Sequence, residues 1–149
     1  MTDTQIKMMK NKEVVTDIED FIKNFNGTQD NFLNGNCYWF AVILIERFRF
    51  FYKVDIAYNQ IQNHFAMVVT IYYSDKTTNQ FLFDASGLIG PMVEGDGWKL
   101  WREYYSYEPT DAARVYRDCI WKMSEEKWSK LKRFYKKEPW MLPRDAVRY

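Results

Sequence analysis

Three residues of the chain, Cys37, His64 and Asp84, could together carry out thiol chemistry. A cysteine nucleophile needs a base within about 3 Å that takes and returns a proton, and a third group that orients the base. Cys37 would be the nucleophile and His64, the only histidine of the chain, would be the base. Asp84 would accept the other ring N–H of His64. The residue types and their order therefore predict a Cys-His-Asp triad.

The position of Cys37 favours its reactivity. Cys37 follows the turn-forming segment Asn34-Gly35-Asn36 and opens an apolar stretch whose spacing of three and four residues predicts a helix. Asn36 is a suitable N-cap for this helix. A thiol in the first turn has its thiolate favoured by the unpaired backbone N–H groups and by the positive end of the helix dipole.

His64 and Asp84 fall on the two arms of a predicted β-hairpin. The first arm runs from His64 to Tyr73, a polar turn follows at 74–79, and the second arm covers 80–85. A turn centred near residue 76 would leave Asp84 about four residues, or about 13 Å, from the position opposite His64. A tighter turn at Ser74-Asp75, or a bulge, would close this gap.

Further residues are candidates for binding the reacting groups. The backbone N–H of Cys37 would bind the oxyanion formed during acyl transfer, helped by a side-chain amide of the preceding loop. The amides considered are those of Gln29, Asn31, Asn34 and Asn36, with Gln29 and Asn31 preferred by analogy with a donor a few residues upstream of a nucleophile. The candidates for a substrate cleft are Tyr38, Trp98 and Trp101. Trp98 and Trp101 belong to an aromatic cluster that could equally close the core.

Each member of the triad also has an ordinary interpretation. Free cysteine is among the residues most often buried in cores. A histidine at a strand end and an aspartate before a glycine-rich loop are common in hairpins and turns. The joint order of the three residues and the presence of a single histidine favour the catalytic interpretation.

Three short segments resemble the papain-like superfamily in its transglutaminase-like and cell-wall-peptidase forms. They are Asn-Cys-Tyr-Trp-Phe-Ala at 36–41, Asn-His-Phe-Ala-Met-Val-Val at 63–69 and Leu-Phe-Asp-Ala-Ser-Gly at 82–87. The resemblance covers residues 34 to about 90, and the chain is also similar to short phage proteins. The resemblance to the papain-like superfamily implies a helix with a nucleophilic cysteine, packed on an antiparallel sheet that carries the histidine and a third polar residue. Tyr38 stands where papain proper commonly has tryptophan or serine, and the second histidine of many cell-wall peptidases is absent.

Length and composition predict one domain over residues 1–149, and the predicted helices and strands make it an α+β domain. The chain is 47% hydrophobic and 19% aromatic, which is enough for one sizeable core. We expect an amino-terminal helix, the Cys37 helix on a small antiparallel sheet within a core at 34–90, and a helical part at 98–149. Helices are predicted over 111–121 and 124–137, and the glycine-rich segment 86–97 is predicted to be a loop.

Charge and hydropathy limit the partners. A formal net charge of +1 gives no general attraction to polyanions. No apolar run approaches the ~20 residues of a membrane span, so no membrane partner is expected. The amino terminus lacks the features of a signal peptide, which predicts a cytoplasmic protein, in the host cytoplasm if the chain is viral.

No cofactor and no metal are expected. One histidine and two distant cysteines lack the ligand spacing of a zinc site. A disulfide between Cys37 and Cys119 is also not expected, because cytosolic thiols are kept reduced.

The combined expectation is a papain-like thiol hydrolase or acyltransferase that acts on an amide bond of a peptide or protein substrate, either a peptide bond or a glutamine side chain. One alternative is a non-enzymatic phage-encoded protein that binds or inhibits a host protein with the same scaffold. Another is nucleic-acid binding through the basic, aromatic carboxyl-terminal helix. Nucleic acid is the less expected partner, because a charged helical face usually needs none.

Overall fold

A computed structural model describes residues 1–25, 37–115 and 117 of the 149-residue chain. The predicted α+β class is confirmed, with Cys37 on a helix, an antiparallel sheet and further helices after the sheet. The elements in chain order are α1 (Asp3–Asn24), α2 (Cys37–Phe48), β1 (Lys53–Asn59), β2 (His64–Tyr72), β3 (Thr78–Asp84), β4 (Gly87–Pro91), β5 (Trp98–Leu100), α3 (Trp101–Tyr107) and α4 (Pro109–Val115).

The five strands form one sheet with the order β4-β3-β2-β1-β5, and all the pairs are antiparallel. At one end of the sheet, Asn59 pairs with His64 on β2 and with Trp98 on β5. Residues directly opposite each other in an antiparallel sheet project to the same face. His64, Asn59 and Trp98 therefore form a row across three strands at this end.

The turn between β2 and β3 is tighter than a turn centred on residue 76. Tyr72 pairs with Thr78, so the turn is centred on Asp75. The Tyr73 N–H donates to the Thr77 carbonyl over 3.0 Å, and Lys76 has a positive φ of 68°. Because the turn is centred on residue 75 and not 76, every cross-strand partner shifts by two residues. The distance along β3 between Asp84 and the position opposite His64 is therefore half of that expected.

Helix α2 is buried on almost every side, which explains its continuous apolar sequence. One side contacts the sheet through the β2 face that carries Phe65, and another side faces α1, where Phe21 lies edge-on to Phe48. The buried residues of α2 are Tyr38, Phe40, Ala41, Val42, Ile43, Leu44, Ile45 and Phe48.

Helix α1 begins with a capping box between Thr2 and Gln5. It buries Val14, Ile18 and Ile22, which recur every four residues and so lie on one face. This face completes the core over α2. A smaller cluster lies on the opposite face of the sheet, where Trp98 packs beside it; its buried members are Ala57, Ala66, Val68 and Leu82.

The prediction that 86–97 is a loop is wrong in part. Residues Gly87–Pro91 form β4, which pairs with β3 along the edge of the sheet. Glycine and proline are tolerated in an edge strand, because one side of the strand needs no ladder hydrogen bonds. Pairing with β3 thus outweighs the low strand propensity of the segment.

Of the two predicted carboxyl-terminal helices, only the start of the first lies within the described residues. Helix α4 begins at Pro109 and covers the first part of the predicted 111–121 helix. The predicted basic helix at 124–137 and Cys119 lie outside the described residues. Over residues 1–25, 37–115 and 117, no helix combines the length and apolarity required to cross a membrane.

Gly97 provides a test of how tightly the loop before β5 packs against Asn59 and Ile61. Its φ is +90°, and an added Cβ would lie 2.8 Å from Ile61 Cδ1 and 2.9 Å from Asn59 Oδ1. Gly95 has a similar φ of +94°, and no atom of the described part of the chain lies within 4 Å of its Cβ position. We expect Gly95→Ala to destabilise the protein by about 1–2 kcal/mol through backbone strain alone, and Gly97→Ala to cost clearly more. Urea unfolding of both variants measures the difference. Equal decreases in the free energy of unfolding would show that Asn59 and Ile61 accommodate the added methyl group without loss of stability.

Candidate active site

Cys37 is the first residue of α2 and is partly exposed. Its neighbour Tyr38 is buried and packs edge-on against Phe65, with 5.1 Å between the ring centroids. Phe65 in turn follows His64 at the start of β2. The contact between Tyr38 and Phe65 thus holds the start of α2 over the start of β2.

His64 is fixed by the turn that precedes it. Asn63 has a positive φ of 51°, and its side-chain oxygen accepts a hydrogen bond from the Tyr58 hydroxyl over 2.7 Å. The buried Asn59 accepts from the Ile61 and Gln62 N–H groups, each over 3.0 Å. The Asn59 amide also donates to the Asp96 carbonyl over 3.0 Å, which ties this turn to the loop before β5.

Asp84 reaches His64 diagonally across the β2–β3 pair. Met67 pairs with Phe83, so the next step of the ladder puts Asp84 opposite Ala66, two residues from His64 and on the same face. Diagonal neighbours of this kind lie about 7–8 Å apart, within reach of long side chains. His64 Nε2 donates to Asp84 Oδ2 over 2.8 Å, so these two predicted triad members are in direct contact.

The His64 side chain lies between an acid and a thiol. Hydrogen bonds with Asp84 and then with Cys37 raise the pKa of His64 to about 9, against the opposing effect of burial. Since Nε2 is engaged by Asp84, Nδ1 is the ring nitrogen left for the sulfur. The structure therefore brings Cys37, His64 and Asp84 together, in the order that the sequence predicts.

Asp84 is held in its ionised form by its neighbours. Burial by itself would raise the pKa of this carboxyl, but hydrogen bonds from His64 and Ser86 lower it below its ordinary value. The Ser86 N–H donates to Asp84 Oδ1 over 2.8 Å, and the Ser86 hydroxyl donates to the same oxygen. Sequence reasoning did not assign a role to Ser86, although its place in Asp-Ala-Ser-Gly was a signal: aspartate side chains commonly accept from the backbone two residues on.

The cleft candidates have different positions. Trp98 is half-buried and lies edge-on to His64, with 6.1 Å between the ring centroids, so it stands beside the imidazole. Trp101 is 4% exposed and packs on Tyr58 and Phe65, and Tyr38 is 2% exposed. Tyr38 and Trp101 are therefore core residues and not walls of an open cleft, because their rings are already enclosed by other aromatic rings.

The predicted oxyanion side chains Gln29, Asn31, Asn34 and Asn36 lie outside the described residues. The Cys37 N–H lies in the first turn of α2, whose N–H groups have no acceptor within the helix. This backbone group can bind an oxyanion that forms next to the sulfur. In the part of the chain that is described, no group of three or more His, Cys, Asp or Glu residues could hold a metal ion.

The fold and the site together define an α+β protein with a Cys-His-Asp arrangement where the start of a helix meets one end of an antiparallel sheet. Comparisons of the chain with protein-family models, curated proteins and solved structures give no match. The resemblance to the papain-like superfamily stays a prediction.

A titration of His64 tests the electrostatics directly, because no other histidine contributes to the imidazole NMR signals. We expect a midpoint near pH 9 in the wild type. Asp84→Asn should lower it by about 1–2 pH units, since an uncharged amide replaces the neighbouring carboxylate. Cys37→Ser should lower it less, because the hydrogen bond with Asp84 makes the largest contribution. A midpoint that does not move in Asp84→Asn would contradict the assigned contact.

The raised pKa also makes stability depend on pH. His64 titrates near pH 6.5 in the unfolded chain and near 9 in the folded protein, so the folded state binds more protons between these values. The stabilisation, at most about 3 kcal/mol, is complete below pH 6.5 and is lost as the pH rises towards 9.

This loss can be measured by urea unfolding of Cys37→Ser and Cys37→Ser/His64→Gln, a pair in which ionisation of Cys37 plays no part. We expect their difference in the free energy of unfolding to shrink as the pH rises. The difference should stop shrinking below pH 9, because the contact with Cys37, which raises the pKa of His64, is missing from both variants. A difference that stays constant or grows would be inconsistent with the assigned pKa.

Proposed function

We propose that the protein is a thiol hydrolase or acyltransferase that uses Cys37, His64 and Asp84. The observation that carries the proposal is the 2.8 Å hydrogen bond between His64 Nε2 and Asp84 Oδ2, on an imidazole whose pKa is raised first by Asp84 and then by a hydrogen bond with Cys37. With its pKa near 9, His64 is an imidazolium at neutral pH. A thiol beside an imidazolium is the arrangement that favours a thiolate nucleophile.

The proposed acylation step uses each of the three residues. The Cys37 sulfur attacks the carbonyl carbon of an amide, and the negative charge moves to the carbonyl oxygen beside the Cys37 N–H. His64 gives its Nδ1 proton to the leaving nitrogen as the C–N bond breaks, which leaves a thioester on Cys37 and a neutral imidazole. Asp84 keeps the ring oriented through Nε2 and stabilises its charged form.

The second step regenerates the thiol. His64 accepts a proton from water or from an amine as that group attacks the thioester carbon, and the sulfur leaves as thiolate. Water gives hydrolysis and an amine gives transfer. The substrate class follows from the resemblance and is a peptide bond or a glutamine side chain. The need for a reduced thiol favours the cytoplasm as the working compartment, that of the host if the chain is viral.

Alkylation with iodoacetamide tests whether Cys37 is activated. We expect Cys37 to react at least tenfold faster than Cys119 at pH 7, and His64→Ala to remove most of this advantage, because the positive charge beside the sulfur is lost. Mass spectrometry of the two labelled peptides gives both rate constants from one sample. Cys119 of the same chain is the internal control. Slow and equal labelling of the two cysteines would refute the proposal.

Turnover requires a separate test. Casein and a set of glutamine-containing peptides can be incubated with the protein, with and without a primary amine, and analysed by mass spectrometry. New cleavage products or amine adducts are expected with the wild type and not with Cys37→Ala. Products that form equally with Cys37→Ala would come from another source.

A further inference from the structure

The two oxygens of the Asp84 carboxylate have different partners. Oδ2 accepts from His64 Nε2 over 2.8 Å. Oδ1 accepts from the backbone N–H of Ser86 over 2.8 Å and from the Ser86 hydroxyl. A carboxylate that is bound through both oxygens cannot rotate about its last torsion without breaking at least one of these contacts.

We propose that Ser86 is a positioning residue, which holds the Asp84 carboxylate so that Oδ2 faces His64 and the other ring nitrogen of His64 faces Cys37. Terminal torsions of Asp side chains are broad and are poorly fixed by the backbone alone. A second anchor on Oδ1 therefore removes alternatives in which Oδ2 turns away from the ring. The effect on His64 follows from geometry, whereas the effect on catalysis rests on the proposed function.

The turn that carries Ser86 keeps this anchor in place. Asp84 ends β3, Gly87 begins β4 opposite it, and Ala85 and Ser86 form the connection. Gly87 has a positive φ of 106°, which lets the chain return directly after Ser86. The Glu19 carboxylate of α1 lies beside Gly87, 3.2 Å from the position of an added Cβ, so α1 packs against the turn.

The chain contains a matched copy of this motif at the opposite end of the sheet. Asp75 Oδ1 accepts from the Thr77 N–H over 3.0 Å and from the Thr77 hydroxyl over 2.5 Å. The other oxygen, Oδ2, binds Lys7 over 2.6 Å instead of a histidine. Thr77→Ala therefore removes the same type of contact, together with a 3.0 Å hydrogen bond from Lys7 to the Thr77 hydroxyl, without touching the proposed site.

The test is an NMR titration of the single histidine in Ser86→Ala, Ser86→Thr and Thr77→Ala. We expect Ser86→Ala to lower the His64 midpoint by roughly 0.5–1 pH unit, because a less well-oriented carboxylate binds the ring less strongly. Ser86→Thr should restore the wild-type midpoint, since threonine keeps the hydroxyl. Thr77→Ala should leave it unchanged. An unchanged midpoint in folded Ser86→Ala would overturn the proposal, as would an equal change in Thr77→Ala.

A double variant separates positioning from a general loss of structure. In the Asp84→Asn background, Ser86→Ala should have no further effect on the His64 midpoint, because the charge that Ser86 orients is already absent. A further decrease of the same size would overturn the proposal. If Ser86→Ala does not fold, Ser86→Gly replaces it, because glycine also lacks the hydroxyl and is well tolerated in turns.

Alkylation and turnover extend the test to chemistry. In Ser86→Ala we expect the Cys37 alkylation rate at pH 7 to fall about 3- to 10-fold, and any turnover to lose kcat with little change in KM. The titration needs no substrate. A lowered midpoint in a protein without turnover on any substrate would therefore support the role of Ser86 and count against the proposed function.

Discussion

The pairing register between β2 and β3 is the constraint on which the site depends. With Met67 opposite Phe83, Asp84 and His64 are diagonal neighbours on one face. A slip of one residue would place Asp84 on the other face of the sheet, because side chains alternate along a strand. The register is determined at the far end of the nine-residue strand β2 by the turn around Asp75. The geometry of the site is thus set by a turn that does not belong to it.

The position of Cys37 depends on packing, whereas the contact between Asp84 and His64 depends on charge. The buried pair Tyr38 and Phe65 places the start of α2 over the start of β2. Burial of a carboxylate is costly unless it is paired and hydrogen-bonded. The Asp84 carboxylate is paired with the His64 ring, so its pKa is lowered despite burial and that of His64 is raised. The two shifts favour a carboxylate at Asp84 paired with an imidazolium at His64. An imidazolium beside the sulfur is the charge state that acyl transfer by a thiol requires.

Sequence patterns predicted the elements that carry the site more closely than the distances within it. The helical spacing after Cys37 and the β-branched segment after His64 were sufficient for α2 and β2, because both are strongly apolar. The separation of Asp84 from His64 depended on the residue on which the β2–β3 turn is centred, which the sequence pattern does not determine. Strand β4 was missed because glycine and proline indicate loops unless a partner strand is present. Tyr38 and Trp101 show that an aromatic residue near a site can be core, and composition does not separate the two cases.

The two Asp-x-Ser/Thr turns show why a local motif does not define a function. Asp75-Thr77 and Asp84-Ser86 bind one carboxylate oxygen in the same way, through a backbone N–H and a hydroxyl two residues later. At Asp75 the other oxygen binds Lys7, a partly exposed cation that links α1 to the hairpin. At Asp84 it meets a half-buried imidazole that also contacts a thiol. The same turn is structural at one end of the sheet and becomes part of a candidate site at the other. The difference lies in the group that the fold places next to the second carboxylate oxygen, Lys7 in one turn and His64 in the other.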